Sequence, residues 1–171
     1  RLQDNSPAIN AGNNAALPPG LLTDLDGAPR FVRVFVDMGA YENQTFPCPA
    51  GGVLYVAQDA AGAQTGESWA DALVTLQDAL QVSQACEIWV KAGVYSPDQG
   101  GSQAEDDPSA TFQLKNGVEI YGGFAGAETS RDQRDWTANL TVLSGDIDSN
   151  DLTDPYGVVT DTTNIVGDNA Y

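Results

Sequence analysis

The chain has 171 residues, enough for one modest domain or parts of two, and 42% of them are hydrophobic, enough to form a core. Its 24 acidic side chains outnumber 7 basic ones, and there is no histidine, so the formal net charge is −17 at pH 7. This charge repels nucleic-acid phosphates and anionic lipid, and the lack of histidine excludes Ser-His-Asp and Cys-His mechanisms within the chain. Because of this charge, we expect no nucleic-acid binding. Because the chain has no apolar run of about 18 residues, we expect no membrane insertion either.

Seven short runs of β-branched and aromatic residues, bounded by Gly, Pro, Asn and Asp clusters, are typical of β-strands. They lie at 31–36, 53–57, 87–91, 111–114, 118–121, 140–143 and 157–160. Only one stretch of the chain has helical periodicity, which fits neither a βαβ pattern nor a helical bundle. The sequence therefore predicts an all-β protein.

The helical stretch is residues 67–85, between the second and third of these strands. Ser68 followed by Asp71 resembles a capping box at its start, and Gln77 falls on the face that should meet water. The apolar positions share the other face: Trp69, Leu73, Leu76, Ala79 and Leu80. This pattern predicts an amphipathic helix of about four turns.

The later strands are separated by steps near twenty residues, which favours a solenoid in which each turn adds one rung to parallel sheets. Asn116-Gly117 would instead suit a hairpin between 111–114 and 118–121, so periodicity alone leaves both arrangements open. A Pro- and Gly-rich stretch at 43–52 indicates a junction between two parts of the chain.

Several segments resemble bacterial right-handed parallel β-helix surface proteins. SPAINAGNN (6–14), TDLDGAPR (23–30) and VDMGAYE (36–42) look like the closing part of such a domain. Residues 54–80 and EIWVKAGVYSP (87–97) resemble the opening of a pectin-lyase-like β-helix. Residues 112–136 and LSGDID (143–148) resemble the first coils of large secreted repeat proteins and polymorphic outer-membrane proteins.

The resemblance implies a right-handed parallel β-helix (a solenoid) with one short capping α-helix. Residues 1–46 would close one β-helix unit, and residues 47–171 would supply the capping helix and first coils of the next. The chain would then be a piece of a longer protein or a filament subunit. Its ends would join neighbouring domains of the same long chain, or copies of itself head to tail.

The function expected from this architecture is structural: a non-enzymatic extracellular or cell-surface stalk, adhesin or filament building block. A solenoid makes a stiff rod, and acidic faces keep such a rod soluble. The alternative is a carbohydrate-binding or carbohydrate-active β-helix protein, related in kind to polysaccharide lyases and hydrolases. A concave face that gathers two carboxylates and a cation would favour that alternative.

No catalytic residues are expected. Arg131 and Arg134 stand beside Asp132 and Asp135, which indicates a turn whose charges are satisfied locally.

Two other groups of residues are candidates for ligand contact. Asp24, Asp26 and Arg30 suit a turn with a local Asp–Arg pair better than a ligand site. Trp69 and Trp89 should be packed inside, which leaves Trp136 as the tryptophan that would contact carbohydrate.

The two cysteines, Cys48 and Cys86, are 38 residues apart in the sequence, which is wrong for a CxxC motif. An even pair in an acidic, glycine-rich chain without histidine predicts one disulfide and hence an oxidising compartment. Two unrelated free thiols are the alternative.

The acidic stretch DIDSNDLTD is the metal candidate. Asp146, Asp148 and Asn150 alternate as the oxygen ligands of a calcium loop do, and Asp154 follows. The glycine after the third ligand and the glutamate at the twelfth position of an EF-hand are missing. The stretch is either a weak Ca²⁺ site or a solvated acidic loop, and no other cofactor is expected.

Overall fold

The computed structural model has five short strands in two small parallel sheets. It describes residues 1–3, 6–9, 11–30, 36–43, 49, 51–81, 86–100 and 103–170. The strands are β1 (Val53–Val56), β2 (Glu87–Lys91), β3 (Gly93–Tyr95), β4 (Glu119–Phe124) and β5 (Thr141–Leu143). One α-helix, α1 (Leu76–Leu80), and three 3-10 turns (Asn14–Ala16, Arg131–Gln133 and Thr162–Asn164) complete the elements of this part.

The larger sheet has the order β1-β2-β4 and the smaller one pairs β3 with β5, all strands being parallel. Leu54, Ile88 and Ile120 are in register across the larger sheet. Because side chains alternate along a strand, the same face of each strand turns inward. The main apolar cluster lies on this inner face, where Leu76 of α1 and Tyr95 of β3 pack against it.

Strand prediction is correct for the runs that enter these sheets and wrong for two others. The runs 53–57, 87–91, 118–121 and 140–143 correspond to β1, β2, β4 and β5. Residues 111–114 and 157–160 form no strand. The predicted strand 31–36 lies outside the described residues except for Val36, which is not in a strand.

The predicted β-helix is wrong: the described residues form no closed solenoid. The larger sheet has three strands and the smaller one two, so the described strands do not complete the coils of a β-helix. The connections after β3 and β4 contain turns. The Asp107 carboxylate accepts from the Ser109 N–H at 2.8 Å. The Asp135 carboxylate accepts from the N–H groups of Thr137 and Ala138 at 3.0 and 3.1 Å. These backbone N–H groups are hydrogen-bonded within turns and do not pair with a further strand.

The predicted four-turn helix is also wrong in length, since α1 has five residues. Thr75 is its N-cap, and its hydroxyl accepts from the Asp78 N–H. Leu73, inside the predicted helix, instead pairs with β1, accepting from the Ala57 N–H at 2.8 Å and donating to the Tyr55 oxygen at 2.9 Å. Pairing with a strand thus takes the backbone that the helix would need.

Gln77 is buried, contrary to the expectation that it meets water. It is 4% exposed, and its Nε2 donates to the backbone oxygens of Pro97 and Thr111. The amide therefore fastens the short helix to the loop after β3, a contact that helical periodicity does not reveal.

The described residues 24–30 and 36–43 form a turn region, which also corrects a sequence expectation. Arg30 pairs with Glu42, at 3.2 Å between Nη1 and Oε2, and no local pair with Asp24 or Asp26 is seen. Asp26 is paired with Arg1 at 2.7 Å on the surface.

We expect Gln77→Ala to destabilise the fold, because the buried backbone oxygen of Pro97 and the partly buried one of Thr111 lose their donor. An unsatisfied buried polar group costs about 1–3 kcal/mol. The measurement is the urea midpoint of unfolding, followed by tryptophan fluorescence. Gln113→Ala, at an exposed position, is the control and should lie within about 0.5 kcal/mol of the parent protein. Equal midpoints for the two variants would contradict the buried role of Gln77.

Candidate functional site: a groove on the outer face of the sheet

The outer face of the larger sheet carries a row of aromatic residues. Tyr55, Trp89 and Tyr121 are in register on β1, β2 and β4. Glu87 and Glu119 are also in register, two positions earlier on β2 and β4. Because side chains alternate, all five share the face opposite the core. Parallel register therefore sets ring beside ring and carboxylate beside carboxylate.

Two further rings pack on this row. The centroids of Trp69 and Tyr55 are 4.8 Å apart in an edge-on contact, and Phe124 stacks on Trp89, also at 4.8 Å. The Trp69 indole N–H donates to the backbone oxygen of Glu128 at 2.9 Å. Trp89 is 5% exposed. Trp89 is thus buried, as the sequence predicts, whereas Trp69 packs against rings but is only half-buried.

A register shift after Trp89 places Phe124 opposite Lys91. Gly123 adopts a φ of +93° next to this shift, in the left-handed region that favours glycine. A Cβ there would also lie 2.9 Å from the backbone nitrogen of Trp136. The irregularity therefore keeps a large ring in the aromatic layer.

Arg131 joins the two acidic strand residues. Its Nη1 lies 3.1 Å from Glu87 Oε1 and 3.9 Å from Glu119 Oε2, and donates to the Tyr121 hydroxyl at 2.9 Å. The Tyr121 hydroxyl donates to Glu119 Oε2, and the Trp89 indole N–H donates to Glu87 Oε2, each at 2.8 Å. The carboxylates are therefore held in place by fixed donors.

The expectation that Arg131 and Arg134 are satisfied within their own turn is wrong. Glu87, the ion-pair partner of Arg131, is 44 residues away in sequence. The Arg134 guanidinium lies 5.0 Å from the ring centroid of Tyr121 and 5.3 Å from that of Trp136. No local signal identifies Glu87 or Tyr121 as partners, because they come from strands that register brings together.

The network borders a groove of about 650 Å³, which we call the outer groove. Among its lining residues are Tyr55, Glu67, Glu87, Trp89, Ser130 and Arg131. The guanidinium is 42% exposed, and its Nε and Nη2 have no hydrogen-bond partner among the described residues. The groove thus presents an oriented donor between carboxylates, with aromatic edges in its wall.

The hydrogen bond to Glu119 is the main cause that raises the pKa of Tyr121, and desolvation adds to it. The phenol therefore stays protonated at neutral pH and keeps donating to Glu119. Arg131, which lowers the pKa of Tyr121, does not outweigh these causes. The arrangement offers fixed hydrogen-bonding groups, and both Glu87 and Glu119 are engaged by them.

The predicted calcium residues serve turns of the backbone. Asp146 accepts from the N–H groups of Asn150 and Asp151, both at 3.1 Å. Asp148 Oδ2 accepts from the Asn150 side chain at 2.6 Å. Asp154 Oδ1 caps a separate turn, accepting from backbone N–H groups of residues 156 and 158.

Across the described residues, no three acidic or cysteine side chains come close enough to hold a metal ion. The Ca²⁺ site at Asp146, Asp148, Asn150 and Asp154 stays a prediction.

Cys86 is buried and disulfide-bonded. Cys48 lies outside the described residues, so the predicted pairing of Cys48 with Cys86 stays a prediction.

In the part of the chain that the structure describes, no helix has the length and apolar character needed to cross a membrane. Comparisons with protein-family models, with curated proteins and with solved structures find no match for this chain. The resemblance to β-helix surface proteins is thus untested by relatives.

We expect Arg131→Met to lower the free energy of unfolding by about 1 kcal/mol. The variant leaves Glu87 and Glu119 side by side without their shared cation, and half-exposed ion pairs contribute about 0.2–1 kcal/mol each. The measurement is urea unfolding at low and high salt. The loss of unfolding free energy should be smaller at high salt, because salt screens the repulsion between Glu87 and Glu119. Arg134→Met is the control, since it removes ring contacts and no ion pair. Equal, salt-independent losses in both variants would contradict this view of the network.

Proposed function

We propose that this chain is a non-enzymatic structural module of an extracellular or cell-surface protein, and that it associates by adding a strand at one edge of its sheets. The observation that carries this proposal is a difference between the two edges. The chain itself covers the outer edge of β1, whereas the outer edges of β4 and β5 lack a strand partner among the described residues.

The edge of β1 is covered by the segment 66–73. The Tyr55 N–H donates to the Gly66 oxygen at 3.0 Å, and the Ala57 N–H donates to the Leu73 oxygen at 2.8 Å. Gly66 has a φ of +76°, and a Cβ there would lie 2.7 Å from the Leu54 side chain. This close approach requires glycine and prevents a further strand from pairing with β1.

The edge of β4 has no strand partner among the described residues over its first four positions. The Glu119 N–H donates to the Cys86 oxygen at 3.2 Å, so the backbone groups of Glu119 face β2. Because backbone direction alternates, those of Ile120 and Gly122 face away. Neither of these two N–H groups has a backbone acceptor within the described residues.

The edge of β5 is free in the same way. The Ser144 N–H donates to the Tyr95 oxygen at 2.9 Å, so Leu143, one residue earlier, turns its N–H away from β3. Leu143 is 49% exposed, and the described residues supply no acceptor for its N–H.

Unpaired strand edges favour association with other strands. With the edge of β1 covered, pairing through the β4 and β5 edges relates two copies by a two-fold axis, and this contact closes at a dimer. It differs from the head-to-tail contact expected from sequence, which stays a prediction. The disulfide state of Cys86 supports an oxidising, extracellular setting.

We expect the purified chain to dimerise in sedimentation velocity experiments at increasing concentration, and more strongly at high salt because the charge of −17 makes copies repel each other. Leu143→Pro should remain monomeric, because proline removes the outward N–H and leaves the Ser144 bond to Tyr95 in place. Leu143→Val keeps the N–H and is the matched control.

Hydrogen exchange provides a second measurement for this prediction. The Ile120 and Leu143 amides should exchange fast in the dilute protein and become protected as concentration rises. A parent protein that is monomeric at every concentration and salt level, or equal association by the proline and valine variants, contradicts the proposal.

Glycan binding in the outer groove is a second candidate function. The sequence alternative requires two carboxylates and a cation on one concave face, and the lining of the outer groove includes Glu67, Glu87 and Arg131. Hydroxyl groups of a neutral sugar suit carboxylate and guanidinium partners, and the Tyr55 ring in the groove lining offers an apolar face. Trp136 is exposed but is not among the lining residues of this groove.

For this candidate we expect neutral hexose oligosaccharides to release heat on titration, and acidic oligogalacturonides not to bind because the groove walls carry carboxylates. Glu87→Gln and Arg131→Met should weaken binding at least about tenfold, the loss of about 1.4 kcal/mol expected for one hydrogen bond to a charged group. Asp59→Asn, which alters the ion pair with Lys91 outside this network, is the control. Absence of heat with every neutral oligosaccharide tested would exclude the candidate.

A further inference from the structure

An Asn-Gly pair, which the sequence contains once, lies at the centre of a turn just before β4. Asn116 and Gly117 are both exposed, and the Val118 N–H donates to the Lys115 oxygen at 3.2 Å. Gly117 has a φ of +81°, whereas Asn116 does not have a positive φ. This combination is typical of a type II turn, whose third residue favours glycine.

The turn lacks the strand on one side that a hairpin would supply. Residues 111–114 form no strand, and Gln113 and Leu114 are exposed. Pairing with β2 holds the chain only after the turn, from Glu119 onward. Opening the turn therefore breaks the Val118 hydrogen bond without separating two paired strands.

The Asn116 side chain and the backbone N–H that follows it take part in none of the hydrogen bonds of the described residues. Asn150 shows the opposite arrangement. Its Nδ2 donates to Asp148 Oδ2 at 2.6 Å, and the N–H of the next residue, Asp151, donates to Asp146 Oδ2 at 3.1 Å. One asparagine is thus held on both sides, whereas the other is open to reaction.

We propose that Asn116 is a site of spontaneous deamidation in the folded protein. The Gly117 nitrogen, after giving its proton to water, forms a bond to Asn116 Cγ. The bond from Cγ to the side-chain nitrogen then breaks, and this nitrogen takes a proton from water and leaves as ammonia. A five-membered succinimide ring remains, and glycine hinders its closure least because it has no Cβ.

Water opens the ring by adding to one of its two carbonyl carbons, so the reaction needs no oxidant or reductant. Breaking the bond between Cγ and the Gly117 nitrogen gives ordinary aspartate. Breaking the bond between the backbone carbonyl carbon and that nitrogen gives isoaspartate, in which the main chain runs through Cγ. Either product adds one negative charge to a chain whose formal charge is already −17.

Isoaspartate also lengthens the main chain of the turn by one carbon atom. The Val118 N–H and the Lys115 oxygen then no longer meet in the same geometry, whereas the pairing of β4 with β2 begins only at Glu119. The structural effect is therefore local to the turn. The proposal does not depend on the association of two copies.

The test is to keep the full chain at neutral pH and to digest samples, taken over time, with a protease that cleaves after glutamate in mild acid. The peptide between Glu105 and Glu119 should gain the mass difference between an amide and an acid, and should separate into an aspartate and an isoaspartate product. Conversion at Asn116 should be at least about tenfold faster than at Asn150 in the same samples. A synthetic peptide of residues 113–119 gives the rate of the same reaction without the fold.

Asn116→Gln is the matched variant, because the longer side chain would need a six-membered ring, and its peptide should keep its mass. In the aged parent protein, the Val118 amide should exchange faster with solvent than in the fresh protein. Freshly prepared Asn116→Asp, which has the charge without the longer main chain, should keep the fresh rate. An Asn116 that retains its amide while the synthetic peptide converts overturns the proposal, and so does equal conversion of Asn150.

Discussion

The in-register parallel pairing of β1, β2 and β4 is the constraint on which the rest of the structure depends. It sets Leu54, Ile88 and Ile120 against the core, and it sets the outward residues of the same strands into rows of rings and carboxylates. A slip of one residue would exchange the two faces and bury Glu87. Core and groove are therefore two consequences of one register.

Sequence reasoning succeeds where a strong local pattern agrees with tertiary packing, as in EIWVK, which forms β2 at the predicted residues. It fails at Leu73, whose apolar spacing suits a helix but whose backbone pairs with β1. It also fails for Gln77, whose amide reaches loops 20 and 34 residues away. Repeated spacing near twenty residues indicates parallel strands, and the structure has them. The same spacing does not show whether the strands complete the coils of a β-helix.

The candidate site is less predictable than the strands. Arg131 has two aspartates near it in sequence, but its partners Glu87 and Glu119 come from strands that register alone brings together. For the acidic loop, alternate Asp residues resemble a calcium loop in sequence, yet Asp146 binds backbone N–H groups of its own turn. Composition identifies the available chemical groups, and only the fold decides which of them meet.

The excess of negative charge acts differently at the surface and in the interior. On exposed loops, carboxylates cap turns and remain hydrated, so a charge of −17 costs little and keeps molecules apart. At Glu87 and Glu119, one half-exposed cation, Arg131, is enough to stabilise both carboxylates, because solvent screens the remaining negative charge. In the interior, the Glu42 carboxylate lies 3.2 Å from the buried Arg30 guanidinium. At the edges of β4 and β5, the charge acts between molecules. In the proposed dimer, two copies must overcome the repulsion between their whole negative charges. Burial therefore determines where this acidic chain needs a counter-charge, and in the proposed dimer the neighbour pairs with strands β4 and β5, whose outer edges have no strand partner among the described residues.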